Sequence, residues 1–326
     1  MILTAFSGQN QACWDGFVRS SRNGTLMQER KFLNYHPPGR FADCSLMARD
    51  SRGGLTAVIP AAAKYEENKK IFYSHPGASH GGIVVGNQFR TAQALTLVSL
   101  LIEQCGEKRF DAIELKMIPR IYHRWPTDEI DFALRQNGFS AVSTELATAL
   151  PLKEIGSGPR YMAPSAVRSL RRAEKSEVYV EESADYEAYW AILTANLRQR
   201  HNSRPTHSLT EIDHLIEEYP GEIKLFAAFH RGEMVGGVTV FLLNNRVVNC
   251  FYIAHDDRYQ GLRPLNLVFF RLVNWAVEKG YHYLDWGIST ENRGRVVNYG
   301  LFRFKETFGG RGVLRETYRY NFYKQR

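Results

Sequence analysis

Cysteine is scarce and scattered: Cys13, Cys44, Cys105 and Cys250 lie far apart in a chain of 326 residues, with no CxxC pair and no histidine at zinc-ligand spacing. Disulfide frameworks and structural metal sites need closely spaced ligands, so buried free thiols in a reducing compartment are expected and no metal is assigned. Long apolar runs are also missing. No uncharged stretch approaches the roughly 18 residues a membrane helix requires, and the start MILTAFSGQNQACWDGF lacks a basic segment followed by an apolar one. The expectation is a cytoplasmic protein with no membrane span. Low-complexity tracts and single-sign charge blocks are absent, whereas 44% of residues are hydrophobic and 13% aromatic, the composition of packed domains.

Charge leans one way. Forty-two Lys and Arg against 34 Asp and Glu give +8, which favours an anionic partner: nucleic acid, an anionic surface or phosphorylated small molecules. The cations are dispersed, without the aromatic and basic cluster that stacks RNA bases, so nucleic acid is not favoured. The one dense basic segment, Arg168 to Arg172 in VRSLRRAEK, is followed by acids and reads as a solvated helix face. A chain of this length divides naturally into two domains.

Periodicity in the second half predicts helices over about 185–199 and 209–219, then strands over 223–229, 234–243 and 246–255, the last two joined at Asn244-Asn245. A helix over 265–280 with a Lys-Gly stop follows, then the strand YHYLDWG, a helix near 292–307 and a final strand over 313–323. The first half repeats this order: strands near 45–49, 55–60 and 71–73, a helix over 92–105, the strand FDAIELKMI, a helix over 128–136 and a strand from Phe139. The helix stops Gly106 and Gly280, and Gly138 and Gly310, are offset by 174 and 172 residues. The reading is a duplication, each copy a β-meander followed by α-β-α-β, with PLKEIGSGPRYMAPS (151–165) as the hinge. That makes an α+β, mixed-sheet protein of two domains, 1–155 and 156–326.

The order of elements resembles the GNAT acyltransferase fold, and its doubling resembles the tandem-GNAT, Fem-like group. The segments SLRRAEK, FYIAHDDRYQGLRPLNLVFFRLVNWAVEKGYHYLDWG and GLFRFKETFGG look like that group's second domain. FVRSSRNGTLMQERKFLNYH, SHPGASHGGIV and DWGISTENRG with NYGLFRFKETFGG look like the sugar N-acyltransferases of bacterial surface-polysaccharide clusters, over nearly the whole chain. The resemblance implies transfer of an acyl group from acyl-CoA, a co-substrate and not a resident cofactor, to a nucleoside-diphosphate-linked amino sugar lying between the two copies. A dTDP-linked 3-amino-3,6-dideoxyhexose and a 3-hydroxybutanoyl or acetyl group are the first expectations; a homodimer is compatible. The other implied reading is a Fem-type transferase drawing its donor from aminoacyl-tRNA, although the basic coiled-coil arm of some Fem proteins is missing. A non-enzymatic nucleic-acid-binding module is a third reading of the basic charge.

Attack of an amine on a thioester needs a deprotonated amine, a donor for the developing oxyanion and aligned reactants. The resemblance places the oxyanion donor among the backbone N–H groups of Tyr252, Ile253 and Ala254. It places the donor's phosphates at Arg258, Gln260, Gly261 and Arg263, where Pro264 suits a helix's first turn; the same residues also read as an ordinary capped turn. Glu291, His75 and His80 are candidate bases, with transfer through water left open. SHPGASHGGIV, with Ser79, could approach a sugar or phosphate, or be a glycine-rich loop whose histidines bond locally. HNSRPTH, with Arg204 and His207 beside Arg200 and His201, could hold a diphosphate or be a turn stiffened by Pro205. Ser289, Thr290 and Asn298 are candidates for sugar hydroxyls. Lys305 serves either a helix end or, by resemblance, the neighbourhood of the acyl or acceptor group. Asp285, Trp275 and Trp286 read as structural.

Overall fold

The computed structural model describes residues 1–37, 39–156 and 158–322, except for the side chain of His201. It divides into two compact units: 1–146 with 292–295 and 313–326, and 147–291 with 296–312.

In the second unit five strands follow one another in the sheet: Val178–Ser183, Ile223–His230, Glu233–Leu242, Val247–His255 and Tyr283–Ile288. The first four pair antiparallel. The last pair is parallel, because the helix Pro264–Glu278 carries the chain back across the sheet. Residues 147–151, the end of the strand Ser140–Pro151, then pair antiparallel with Tyr283–Ile288. Dense apolar spacing in LNLVFFRLVNWAV lets the crossing helix bury Leu267, Val268, Phe269, Leu272, Val273 and Ala276. Each large side chain of that set contributes about 1.5–3 kcal/mol. Trp286 lies beneath, edge-on to Phe269, as expected of a core residue; Trp275 is only partly buried.

The first unit repeats the pattern with one change. The strands near 46–49 and 55–59 form a four-stranded sheet with Ile2–Ala5 and Val84–Val85, while Ala61–Glu66 and Lys69–Ser74 enter a different sheet. Pro60 marks the switch: without an N–H it cannot continue the ladder. Lys69–Ser74 pairs parallel with Ala112–Lys116 after the helix Thr91–Glu107, and Ala112–Lys116 pairs antiparallel with the C-terminal strand Arg311–Asn321. Tyr323, the end of the expected final strand, lies outside the described residues.

Two helix stops differ in detail from the glycines expected. Gly106 is helical, and the left-handed residue is Arg109; Gly309, not Gly310, takes the other. The left-handed positions Arg109 and Gly280, and Gly138 and Gly309, then share one offset of 171 residues, which tightens the duplication. The helix expected near 292 begins at Tyr299. Ahead of it Thr290–Glu291 pairs with Val296–Val297, around positive φ at Asn292, Arg293 and Gly294, since β-branched valines favour a strand over a helix. No helix among the described residues is long and apolar enough to cross a membrane. Cys105 and Cys250 are buried as expected, but Cys13 is exposed.

Candidate acyl-transfer site

The strands Val247–His255 and Tyr283–Ile288 pair through only three positions, Val247 with Tyr283 to Asn249 with Asp285. Beyond Asn249 and Asp285 no ladder joins them, so one edge of residues 250–255 is released from strand pairing. A bulge falls at the same place: Val240 faces Cys250 while Thr239 faces Tyr252, leaving Phe251 extra.

Alternation along the strand separates the three expected oxyanion donors. The N–H of Asp256 donates to the Val235 carbonyl at 3.0 Å, so Tyr252 and Ala254, two and four residues earlier, also face that neighbouring strand. Ala254 is further engaged by the Tyr189 hydroxyl, which donates to the Gly237 carbonyl at 3.2 Å. Ile253 faces the released edge.

The exit of Tyr283–Ile288 is clamped from two sides. Gly287 turns at φ +72°, and its N–H donates to Asp285 Oδ1 at 2.7 Å. Lys305, 2% exposed, donates to the carbonyls of Gly287 and Ile288, both at 2.9 Å, and to Ser289 Oγ at 2.7 Å. Asp285 is fully buried, with Asn249 Nδ2 at 3.4 Å, and burial drives the neighbouring Cys250 thiol well above its ordinary range. Lys305 and Ser289 thereby fix the shape of the exit turn. Asn298, expected at the sugar, caps the helix Tyr299–Glu306 through Oδ1, which accepts from the Leu301 N–H at 3.0 Å. Thr290 keeps a buried hydroxyl with no hydrogen-bond partner among the described residues, and Glu291 is exposed beside it.

On the opposite face of Val247–His255, the buried His207 approaches the Tyr252 hydroxyl through Nδ1 at 2.6 Å and donates to it through its backbone N–H at 3.1 Å. Its carbonyl accepts from Trp190 Nε1 at 3.1 Å. Arg204 of the same loop is exposed; the side chain of His201 lies outside the described residues.

The expected phosphate loop is rearranged. Residues 257–262 wind into a 3-10 helix: the N–H groups of Tyr259 and Arg263 donate to the carbonyls of Asp256 and Gln260, and that of Arg258 donates to Asp256 Oδ1 at 2.9 Å. The Arg258 guanidinium, expected at phosphate, pairs with Asp256 at 2.6 Å and Glu233 at 3.1 Å. Gln260 is exposed, and its carbonyl accepts from the N–H of Arg263, itself left-handed at φ 60°. Gly261 is open on the surface, with the Arg172 guanidinium 3.8 Å from where its Cβ would be. Arg172 was not singled out as a ligand from sequence, although the 168-171-172-175 spacing displays it.

In the first unit, pairing between the equivalent strands also stops after three positions, at Tyr73 with Glu114. There the gap is filled. Ser74 Oγ accepts from the N–H groups of Lys116 at 3.0 Å and Gly82 at 3.3 Å, and Gly81 donates to the Lys116 carbonyl at 3.2 Å. SHPGASHGG is therefore a plug. His80 is buried against Tyr122, with Nε2 3.3 Å from Thr25 Oγ1, and its carbonyl accepts from Gln28. His75 is buried against Phe41 and its Nδ1 accepts from the Gly77 N–H at 3.2 Å. Burial pushes the His75 imidazole down to about 4 and His80 well below its ordinary value. Both rings are buried among local contacts; Ser79 is exposed on the same loop.

Residues 160–306 match the acetyltransferase (GNAT) domain family. Over the whole chain the fold is similar to that of FemX, at TM-score 0.73 and 13% identity, covering 100% of this chain and 98% of FemX. It is also similar to L-PGS from Bacillus licheniformis, at TM-score 0.61 and 11% identity, covering 98% and 93%. A tandem GNAT protein from the clavulanic acid biosynthesis pathway aligns at TM-score 0.53 and 10% identity, covering 98% of each chain. No curated protein matches by sequence. The fold is that of tandem GNAT proteins, and the second unit carries the segment that the family describes.

Proposed function

We propose that the protein is an acyl-CoA-dependent N-acyltransferase whose donor binds the second unit. The acceptor proposed is the amino group of a nucleoside-diphosphate-linked amino sugar, first a dTDP-3-amino-3,6-dideoxyhexose, and the group transferred is 3-hydroxybutanoyl or acetyl. The observation that carries the transferase reading is the early release of Val247–His255 from Tyr283–Ile288 beside the bulge at Phe251. In this reading the edge of Val247–His255 left without a strand partner, towards which the Ile253 N–H faces, is where an extended thioester pairs.

In this reading the Ile253 N–H meets the thioester oxygen as charge develops there, a contribution of about 3–4 kcal/mol to the barrier for one well-aimed donor. The amine attacks the carbonyl carbon from the side of the strand exit, the carbon–sulfur bond breaks, and CoA leaves as a thiolate that finally takes up the proton the amine gives up. The amine's proton passes to Glu291, directly or through water. Thr290 offers its unpartnered hydroxyl to the acceptor, while Lys305 and Asp285 hold the exit turn that presents both residues.

The test is thiol release from acetyl-CoA and 3-hydroxybutanoyl-CoA with dTDP-linked amino sugars and their amine-free counterparts. The reading requires thiol release that depends on the amine and yields an acylated sugar by mass. Acyl transfer from aminoacyl-tRNA alone would replace it with the Fem-type alternative.

A further inference from the structure

The helix Pro164–Lys175 packs Ala166, Leu170 and Ala173 into the second unit's core. Arg168, Arg171, Arg172 and Lys175 recur at i, i+3, i+4 and i+7, and so form one stripe on the other face. All four are exposed, and none makes an ion pair or hydrogen bond among the described residues. Nearby cations are differently placed: Arg258 is held by Asp256 and Glu233, and Arg200 by Asp257 at 2.5 Å. Like charges at these helical spacings repel one another, a strain that a bound polyanion would relieve.

The stripe reaches the site through Arg172, whose Nη2 stands beside Gly261. The 3-10 winding of 257–262 engages the N–H groups of Arg258, Tyr259 and Arg263, which leaves a part of the positive charge for side chains to supply. A diphosphate diester and a phosphate monoester together carry about −4 near neutral pH, matching four cations. A nucleotide-sugar acceptor has only the diphosphate.

We propose that the stripe Arg168, Arg171, Arg172 and Lys175 is the phosphate-reading element of the donor site, and that it recognises a phosphate monoester in addition to the diphosphate. This rests on the acyl-CoA reading above and names what distinguishes donor from acceptor.

The experiment is calorimetric titration of the full chain with CoA and with 3′-dephospho-CoA at fixed ionic strength. It includes the triple variants Arg168→Gln/Arg171→Gln/Arg172→Gln and Arg168→Lys/Arg171→Lys/Arg172→Lys, with thermal melting as the check on folding. The native chain should bind CoA about tenfold or more tighter than the dephospho form, as charge-assisted contacts to the extra phosphate require. The Gln triple should lose that preference while still melting normally, and the Lys triple should keep part of it. Equal binding of both nucleotides by the native chain, or full preference in the Gln triple, overturns the stripe's role and leaves the acyl-CoA reading standing. Binding of neither nucleotide overturns both.

Discussion

At the scale of single residues, the site depends on charged groups that never reach solvent. Lys305 gives its three protons to Gly287, Ile288 and Ser289. Lys305→Met should therefore strand those acceptors and lower stability by about 3 kcal/mol, seen as a fall in the urea midpoint, with turnover falling too. Glu291→Gln has the opposite signature. Its side chain is exposed, so turnover should drop at least tenfold, a general base being worth about 10²–10⁴, with the melting temperature unchanged; a shifted melting temperature and normal turnover would return it to a surface loop. A third expectation concerns pH. Burial holds His75 and His123 down to about 4 against an ordinary 6.5. Between those values the unfolded chain takes up protons that the folded chain does not. Their stability contribution is thus intact above about pH 6.5 and lost as pH falls towards 4. Urea midpoints at pH 7.5 and 5.0 should show the drop, and a smaller one for His75→Asn/His123→Asn.

At the scale of elements, one pattern has two outcomes. Each unit ends its parallel strand pair after three positions, and in the first the loop SHPGASHGG bonds across the opening. Calorimetry should accordingly count one CoA per chain. Gly82 sits at φ +61°, and a Cβ there would press to 3.3 Å on the Ile118 nitrogen and the Lys116 carbonyl. Gly82→Ala should destabilise by roughly 1–3 kcal/mol, measured by urea denaturation. Sequence exposed the helices Tyr186–His201, Leu209–Glu218 and Pro264–Glu278 and the central strands of the second unit to within a few residues because their apolar periods are long. It missed Val178–Ser183, whose edge position leaves half its residues polar, and Ala61–Glu66, hidden behind Pro60. In SHPGASHGG, a loop that closes a gap and a loop that grips a ligand require the same glycines and polar side chains. Only the bonds to Ser74 and Lys116 separate the two. Arg258 shows the same limit: spacing reveals a cation but not its pairing with Asp256 and Glu233.

At the scale of the whole molecule, duplication is the organising fact, and the common 171-residue offset of left-handed stops makes it concrete. Equal offsets survive where residue similarity has faded because the positive-φ positions are fixed by geometry, whichever residue occupies them. The central claim is that the second unit retains a donor slot for a CoA thioester. The most direct measurement is a thermal-shift panel of acetyl-CoA, 3-hydroxybutanoyl-CoA, nucleotide sugars and tRNA, because a ligand that binds only the folded state raises its melting temperature. The account predicts a concentration-dependent rise with the CoA thioesters. A rise with tRNA and none with any CoA ester would contradict it.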